Sequence, residues 1–290
     1  METSNKELNL KNIKKKLVEK KVDGYILSTS DEYLNEYPPL QNLRLKWLTG
    51  FSGSNGIVLI LKNMNIFFTD GRYTLQAKNE LPQSFQIFES KKETIFTWIK
   101  KNLRKKKIII DNKIHSISII RKFQEVFKES NNEIVFYKKI FIDELWKNRP
   151  KECVKNAFTL SKKFSGITED TKLKKVKESI KKFDLFLVTS PESIAWLLNL
   201  RGADLKYTPL VFSRLLIQKD SKHKLFINKE KISQKLHDRL SKFGIRVFSE
   251  EKIEEEIKKI KKTKKICLDI NSPYFFYEIL KKINGNVYLL

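Results

Sequence analysis

Ile57-Val58-Leu59-Ile60-Leu61-Lys62-Asn63-Met64-Asn65-Ile66-Phe67-Phe68-Thr69 is two apolar runs joined by a polar, turn-forming tetrapeptide. Runs this short, rich in β-branched and aromatic residues, read as strands over 57–61 and 66–69 paired in a hairpin. What flanks the hairpin sets the fold class. Downstream, 72–81 has helical spacing and stops at Pro82, whose ring disfavours helix in the residue before it. Upstream, Leu10, Ile13, Leu17 and Val18 recur at helical spacing, and Asp23-Gly24 turns the chain into a short strand at 24–27.

The same rhythm continues outward. Residues 85–88, 108–110 and 134–136 are further strand candidates, separated by helical stretches at 94–102 and 118–128. Helices alternating with strands, some joined by a hairpin, imply an α/β layer sandwich with a mixed sheet. Segment 143–165, containing Asn148-Arg149-Pro150, interrupts the pattern and reads as a linker.

A second unit follows: a lysine-rich helix at 167–181, a strand at 185–188, and a helix at 191–198 capped by Ser190 with Pro191 in its first turn. Strands at 210–218 and 224–227 flank a turn at Lys219-Asp220-Ser221. Helix at 231–243, strand at 246–248, helix at 250–258, strand at 265–269, helix at 273–283 and strand at 287–290 complete it. The order of elements repeats that of the first half, which suggests two domains of one fold type without a visible residue-level repeat.

At 290 residues and 40% hydrophobic content the chain is long enough for two such cores. No run reaches the ~18 apolar residues that span a bilayer, and 1–21 lacks the apolar centre of a signal peptide. A soluble, cytoplasmic protein without a membrane partner is expected. Cys153 and Cys267 are spaced neither as a disulfide scaffold nor as a zinc site, so both are expected as reduced core or near-core thiols.

The formal charge of +25 raises the question of nucleic acid. Only nine of the 59 basic residues are arginine, the side chain whose planar fork favours base-edge recognition, and the lysines are spread along the chain. Runs such as Lys105-Lys106-Lys107 fall where a helix gives way to a strand, as cations near a helix C-terminus do. A solvated lysine surface that sticks non-specifically to polyanions is the expectation, with no specific nucleic-acid partner.

Few segments have the composition for chemistry. The loop Gly50-Phe51-Ser52-Gly53-Ser54-Asn55-Gly56 feeds a strand and lacks the Lys-Ser/Thr ending of a phosphate loop, so it reads as a tight turn. Thr69-Asp70-Gly71-Arg72-Tyr73 places an acid, an arginine and an aromatic at a strand-to-helix junction. Two readings stay open on local pattern: Asp70 caps the helix and pairs with Arg72, or Arg72 offers its fork of donors to a carboxylate or carbonyl in a cleft. In Asn199-Leu200-Arg201-Gly202, Gly202 is expected to end the preceding helix and Arg201 to sit in its last turn. Trp47, Trp98, Trp146 and Trp196 read as core or interface aromatics. His115, His223 and His237 are expected at the surface, and no set of acids and histidines is spaced as a two-metal site.

Those segments together resemble the aminopeptidase P (Xaa-Pro aminopeptidase) branch of the creatinase/prolidase superfamily. The resemblance is carried by Ser28-Thr29-Ser30-Asp31-Glu32 with Glu36-Tyr37, by 44–56, and by 69–73 with Gln76-Ala77. Trp146-Lys147-Asn148-Arg149-Pro150 and 194–204 extend it, in order and spacing, over nearly the whole chain. It implies two tandem creatinase N-terminal-like domains, 1–145 and 146–290, each a mixed β-sheet flanked by helices. By the same resemblance they precede a metal-binding catalytic domain that releases an N-terminal residue preceding proline.

The resemblance further implies that Arg72 reaches towards a bound peptide with proline at its second position. The two divalent ions, manganese or zinc, belong to the catalytic domain, supplied in cis or in trans. No position here matches the family's metal ligands, so neither a catalytic nor a metal-binding residue is expected in the chain, and it is expected to be inactive alone. A homodimer is compatible with the resemblance. The alternatives are a stand-alone interaction protein derived from such an enzyme, or a polyanion-binding protein.

Overall fold

A computed structural model describes residues 2–283 and 285–290. The chain divides into two compact units, one ending at Lys151 and one running from Glu152 to Leu290. Trp146 and Arg149 are anchored in the first unit. Trp146 stacks on Trp47, with ring centroids 5.7 Å apart, and Arg149 donates through Nε to Gln41 O at 2.6 Å.

The first unit contains helix α1 (Glu2–Glu19), strand β1 (Gly24–Ser28), helix α2 (Arg44–Thr49) and the hairpin β2 (Ile57–Leu61) and β3 (Asn65–Thr69). Helix α3 (Thr74–Glu80), β4 (Phe85–Glu89), α4 (Ile95–Asn102), β5 (Lys107–Ile110), α5 (Ile117–Glu129) and β6 (Glu133–Val135) follow. The strands form one six-stranded sheet in the order β4-β3-β2-β1-β5-β6. It is mixed: β1, β2 and β3 pair antiparallel, while β4, β5 and β6 join their neighbours parallel. Period-2 alternation puts Tyr25, Leu27, Val58, Ile60 and Phe67 on one face, under Leu10, Ile13 and Leu17 of α1. Val18, also at helical spacing, lies on the exposed side.

After β6 the chain returns over this face as a strap. Ile140, Phe141 and Ile142 enter the core, and 141–144 form a 3₁₀ turn.

The second unit begins with β7 (Phe158–Thr159), α6 (Lys162–Ser165), α7 (Glu169–Ser179), β8 (Leu185–Val188) and α8 (Pro191–Leu197). Then come β9 (Leu200–Arg201), β10 (Ser213–Gln218), β11 (His223–Ile227), α9 (Gln234–Lys242) and β12 (Ile245–Phe248). Helix α10 (Ile253–Lys258), β13 (Ile266–Leu268), α11 (Tyr274–Ile283) and β14 (Val287–Leu289) complete it. Its six-stranded sheet runs β12-β11-β10-β8-β13-β14, with the same directions as the first; β7 and β9 form a separate small pair.

Aligning the registers exposes a residue-level repeat that the sequence reading missed. Lys20-Lys21-Val22-Asp23 and Lys181-Lys182-Phe183-Asp184 enter β1 and β8. Both aspartates staple the neighbouring parallel strand: Asp23 Oδ2 accepts from Lys107 N at 3.0 Å, and Asp184 Oδ2 from Lys265 N at 2.7 Å. Likewise Trp47-Leu48-Thr49-Gly50-Phe51-Ser52-Gly53 and Trp196-Leu197-Leu198-Asn199-Leu200-Arg201-Gly202 both close a helix.

The left-handed residue that ends each helix is Gly50 (φ 85°) and Asn199 (φ 49°). Gly202 therefore does not end α8, contrary to expectation; its α-carbon lies so close to Val211 that a Cβ would approach Val211 Cβ to 2.6 Å. Arg201 does meet the last turn of α8, Nη1 donating to Ala195 O at 2.6 Å. Cys267 is buried as expected, whereas Cys153 is exposed, because 151–156 runs without apolar partners.

Candidate functional site

Arg72 lies on the turn between β3 and α3, its side chain 69% exposed. Asp70 Oδ1 accepts from Arg72 N at 2.9 Å and from Nε at 3.1 Å, and Oδ2 accepts from Nη2 at 2.7 Å. Asp70 thus closes an Asx turn and holds the guanidinium upright; it does not cap α3, whose N-cap position is Tyr73. Hydrogen bonding to Arg72 lowers the Asp70 carboxyl below its usual range. The pairing expected on local pattern is present, and the Arg72 side chain stays largely exposed beside it.

The turn is built on a rigid base. Thr69 is buried, and Tyr73 lies edge-on to Phe51 at 5.9 Å. Tyr73 Oη and Ser54 Oγ are 2.9 Å apart, and Ser54 Oγ donates to Glu36 Oε1 at 3.3 Å. The guanidinium carbon of Arg72 sits 5.2 Å from the Tyr73 ring centroid, a cation–π contact that limits where the fork can point.

The glycine loop serves this base and not a phosphate. Glu80 Oε2 accepts from Ser52 N at 2.7 Å, and Oε1 accepts from Ser52 Oγ at 2.6 Å and Gln76 Nε2 at 3.1 Å. Partial burial raises the Glu80 carboxyl, but these Ser52 and Gln76 donors outweigh it and hold the group ionised below its usual range. A carboxylate already fills the amide that an anion would need.

Other segments singled out in the sequence are spent on architecture. Arg44 is fully buried, its fork bound on two sides: Nε and Nη2 donate to Asp143 at 2.7 and 2.9 Å, Nη1 and Nη2 to Glu32 at 2.9 and 2.6 Å. Arg149 Nη1 adds a 2.7 Å bond to Asp143. Asp31 Oδ1 accepts from Tyr33 N and Asn35 N, both at 3.0 Å, and so shapes the loop after β1. In the second unit Asp204 Oδ2 accepts from Phe212 N and from the buried Lys231 Nζ, both at 2.6 Å.

His115 and His223 correct an expectation: both are buried, and only His237 is exposed. His115 Nδ1 donates to Asp111 O at 2.9 Å, and His223 Nδ1 accepts from Gln218 N at 3.1 Å. Burial pushes each imidazole down to about 4, so both are neutral in the folded protein. Asp111 beside His115 is pushed up to about 7 by burial, against the bonds from Tyr25 Oη at 2.6 Å and Phe141 N at 2.9 Å.

Among the described residues no group of three or more histidines, cysteines, aspartates or glutamates could hold a metal ion. The buried acids Asp31, Asp111, Glu169, Asp204 and Glu256 direct their oxygens at amides, a tyrosine, an arginine and lysines. This donor set does not fit a divalent pair. Among the described residues no helix is long and apolar enough to cross a membrane.

Comparison with known proteins agrees with the topology. The creatinase/prolidase N-terminal domain family matches residues 9–142 and, in a second variant, residues 148–288. The chain is 32% identical, over 91% of its length, to Xaa-Pro aminopeptidase 1 of Dictyostelium discoideum, of which it covers 45%. It is 29% identical, over 78% of its length, to aminopeptidase P1 of Lotus japonicus, of which it covers 35%. Among solved structures, the X-prolyl aminopeptidase of Caenorhabditis elegans superposes with a TM-score of 0.87 at 26% identity, covering 92% of this chain and 45% of that one. That protein is described as a cytosolic enzyme with a di-nuclear active site. The chain spans less than half the length of these relatives.

Proposed function

From the premise that the chain belongs to the creatinase/prolidase N-terminal domain family, with two such domains in tandem, we propose that it is the non-catalytic N-terminal part of an Xaa-Pro aminopeptidase. It contributes substrate gating and assembly to release of an N-terminal residue preceding proline, and it is inactive alone. The metal-bearing catalytic domain acts in cis or in trans and holds two divalent ions, manganese or zinc. The assembly is cytoplasmic, and a homodimer is compatible with it.

The observation that carries this reading is Arg72. Of the arginines in the motifs that resemble the aminopeptidases, Arg44 is buried, Arg149 is committed to Asp143, Gln41 and Asn42, and Arg201 to the carbonyls of Ala195 and Leu200. Arg72 alone combines a rigid base with a largely exposed fork, the arrangement a residue needs to bind a peptide carbonyl or carboxylate from outside the catalytic domain.

The test joins the chain to its catalytic domain and compares Arg72→Ala with the parent on Xaa-Pro peptides. Loss of a charge-assisted contact made to the substrate lowers kcat/KM by about tenfold or more. A specificity constant that Arg72→Ala leaves unchanged sinks the assignment. Peptide hydrolysis by the isolated chain with added Mn²⁺ would overturn the larger reading.

A further inference from the structure

The fold is present twice, and in the first unit one face of the sheet is closed by the strap that follows β6. Phe141 covers Tyr25, ring centroids 5.1 Å apart, and donates its amide to Asp111 just past the end of β5. Trp146 covers Trp47. In the second unit the register gives each covered residue a counterpart.

Tyr25 lies between Ile60 and Ile109, and Phe186 between Ile217 and Cys267, so Phe186 stands where Tyr25 stands. Asp269, the residue after β13, stands where Asp111 follows β5, and the repeat described above pairs Trp196 with Trp47.

Those counterparts line one groove. Phe186, Val188, Trp196, Leu197, Ile217 and Asp269 surround a cavity of about 480 Å³ on the face of the second sheet. Trp196 is 54% exposed with Lys172 Nζ 4.6 Å from its ring centroid, whereas its counterpart Trp47 is half-buried under Trp146. Tyr288 of β14 lies at the register position of Val135 of β6 and is 42% exposed on the same side.

We infer that this groove docks an apolar polypeptide strap of the kind that 138–146 provides in the first unit, entering from the end of β14. It carries one bulky ring over Phe186 with an amide directed at Asp269, and a second ring over Trp196. The two-ring chemistry follows from the filled copy of the site, where the same two positions take Phe141 and Trp146. The inference stands on the duplicated fold and does not require the peptidase reading.

The test uses the whole chain, extended after Leu290 by a copy of residues 138–147. Because Tyr288 holds the place of Val135, this keeps the spacing of the first unit. Backbone hydrogen exchange over 186–198 is compared with a chain carrying a Gly/Ser extension of equal length. The strap copy slows exchange there at least about tenfold, and the effect disappears when Ser193→Arg blocks the exposed mouth. It also disappears when the appended copy carries the Phe141→Ala and Trp146→Ala changes, a variant that leaves the chain itself untouched. Equal exchange with both extensions, or protection that survives both sets of substitutions, overturns the proposal.

Discussion

Arg44→Met should loosen the first unit, because Arg44 is a fully buried cation held between two carboxylates. The methionine keeps the apolar stem and removes a fork that makes four hydrogen bonds to two carboxylates. Burial lowers the affinity of Arg44 for its proton, yet Asp143 and Glu32 outweigh this and the group is held charged well above its ordinary value. The side chains of Glu32 and Asp143 are only 26% and 22% exposed, so water replaces the lost donors incompletely.

Removing one partner of a buried ion pair costs about 3–5 kcal/mol. Arg149, still 2.7 Å from Asp143, compensates one carboxylate, which places the expected loss at the lower end, about 3 kcal/mol. For a unit of this size that is a fall of about 6–12 °C in its melting temperature. Arg44→Lys recovers part of the loss, because a single ammonium can meet one carboxylate and not two.

Urea titration followed by tryptophan fluorescence reads the effect, since Trp47 and Trp146 stack beside the strap that Asp143 anchors. A loss under about 1 kcal/mol, or an Arg44→Lys chain as stable as the parent, would refute the claim that a doubly bidentate clamp holds the strap in place.

Asp111 and His115 give the first unit opposing pH dependences. Asp111 is raised to about 7 when folded, so its contribution is present below about pH 4 and is lost as pH rises to about 7. His115 is lowered to about 4, so its contribution is present above about pH 6.5 and is lost as pH falls to about 4. At about 1.4 kcal/mol per pH unit each is worth on the order of 3–4 kcal/mol, with nearly cancelling slopes. Stability of β5 and α5 by hydrogen exchange should be flat between about pH 4 and 6.5 in the parent, rise with pH in Asp111→Asn and fall in His115→Gln; identical profiles in all three refute it. The lysine surface should bind duplex DNA with a steep salt dependence and be lost by about 200 mM salt. Unrelated sequences should bind within about threefold of one another, and a preference above about tenfold would revive a specific nucleic-acid function.

Legibility followed locality. Ser190 as a cap was readable because a serine before proline at a helix start acts through its own backbone, and its Oγ does accept from Ser193 N. The hairpin was readable because only Lys62, Asn63 and Met64 separate its strands. His115 was not: Asn112, Lys113 and Ser116 beside it are polar, and its ring is buried next to Phe123 of α5, a contact that only the fold shows. The repeat escaped because its left-handed position is glycine in one copy and asparagine in the other, residues alike only in the φ they tolerate. Arg72 was found by composition of its turn, but its exposure, which separates it from Arg44, needed coordinates.

This separation changes what the motifs mean. Asp31, Arg44, Arg149 and Asp204 all carry the resemblance to the aminopeptidases, yet each is committed to internal partners, so their presence argues for a shared fold and says little about chemistry. A motif residue bears on substrate only if the fold leaves its donors free to meet one. By that criterion Arg72 is the candidate among the motif arginines of the first unit. In the second unit the motif arginine Arg201 is bound to carbonyls, and the apolar groove is the feature whose filled counterpart lies in the first. In the first copy the strap covers that face, and in the second the counterpart residues line the groove. On the proposed function the Arg72 turn and the groove act independently, so Arg72→Ala should leave strap protection of the groove unchanged.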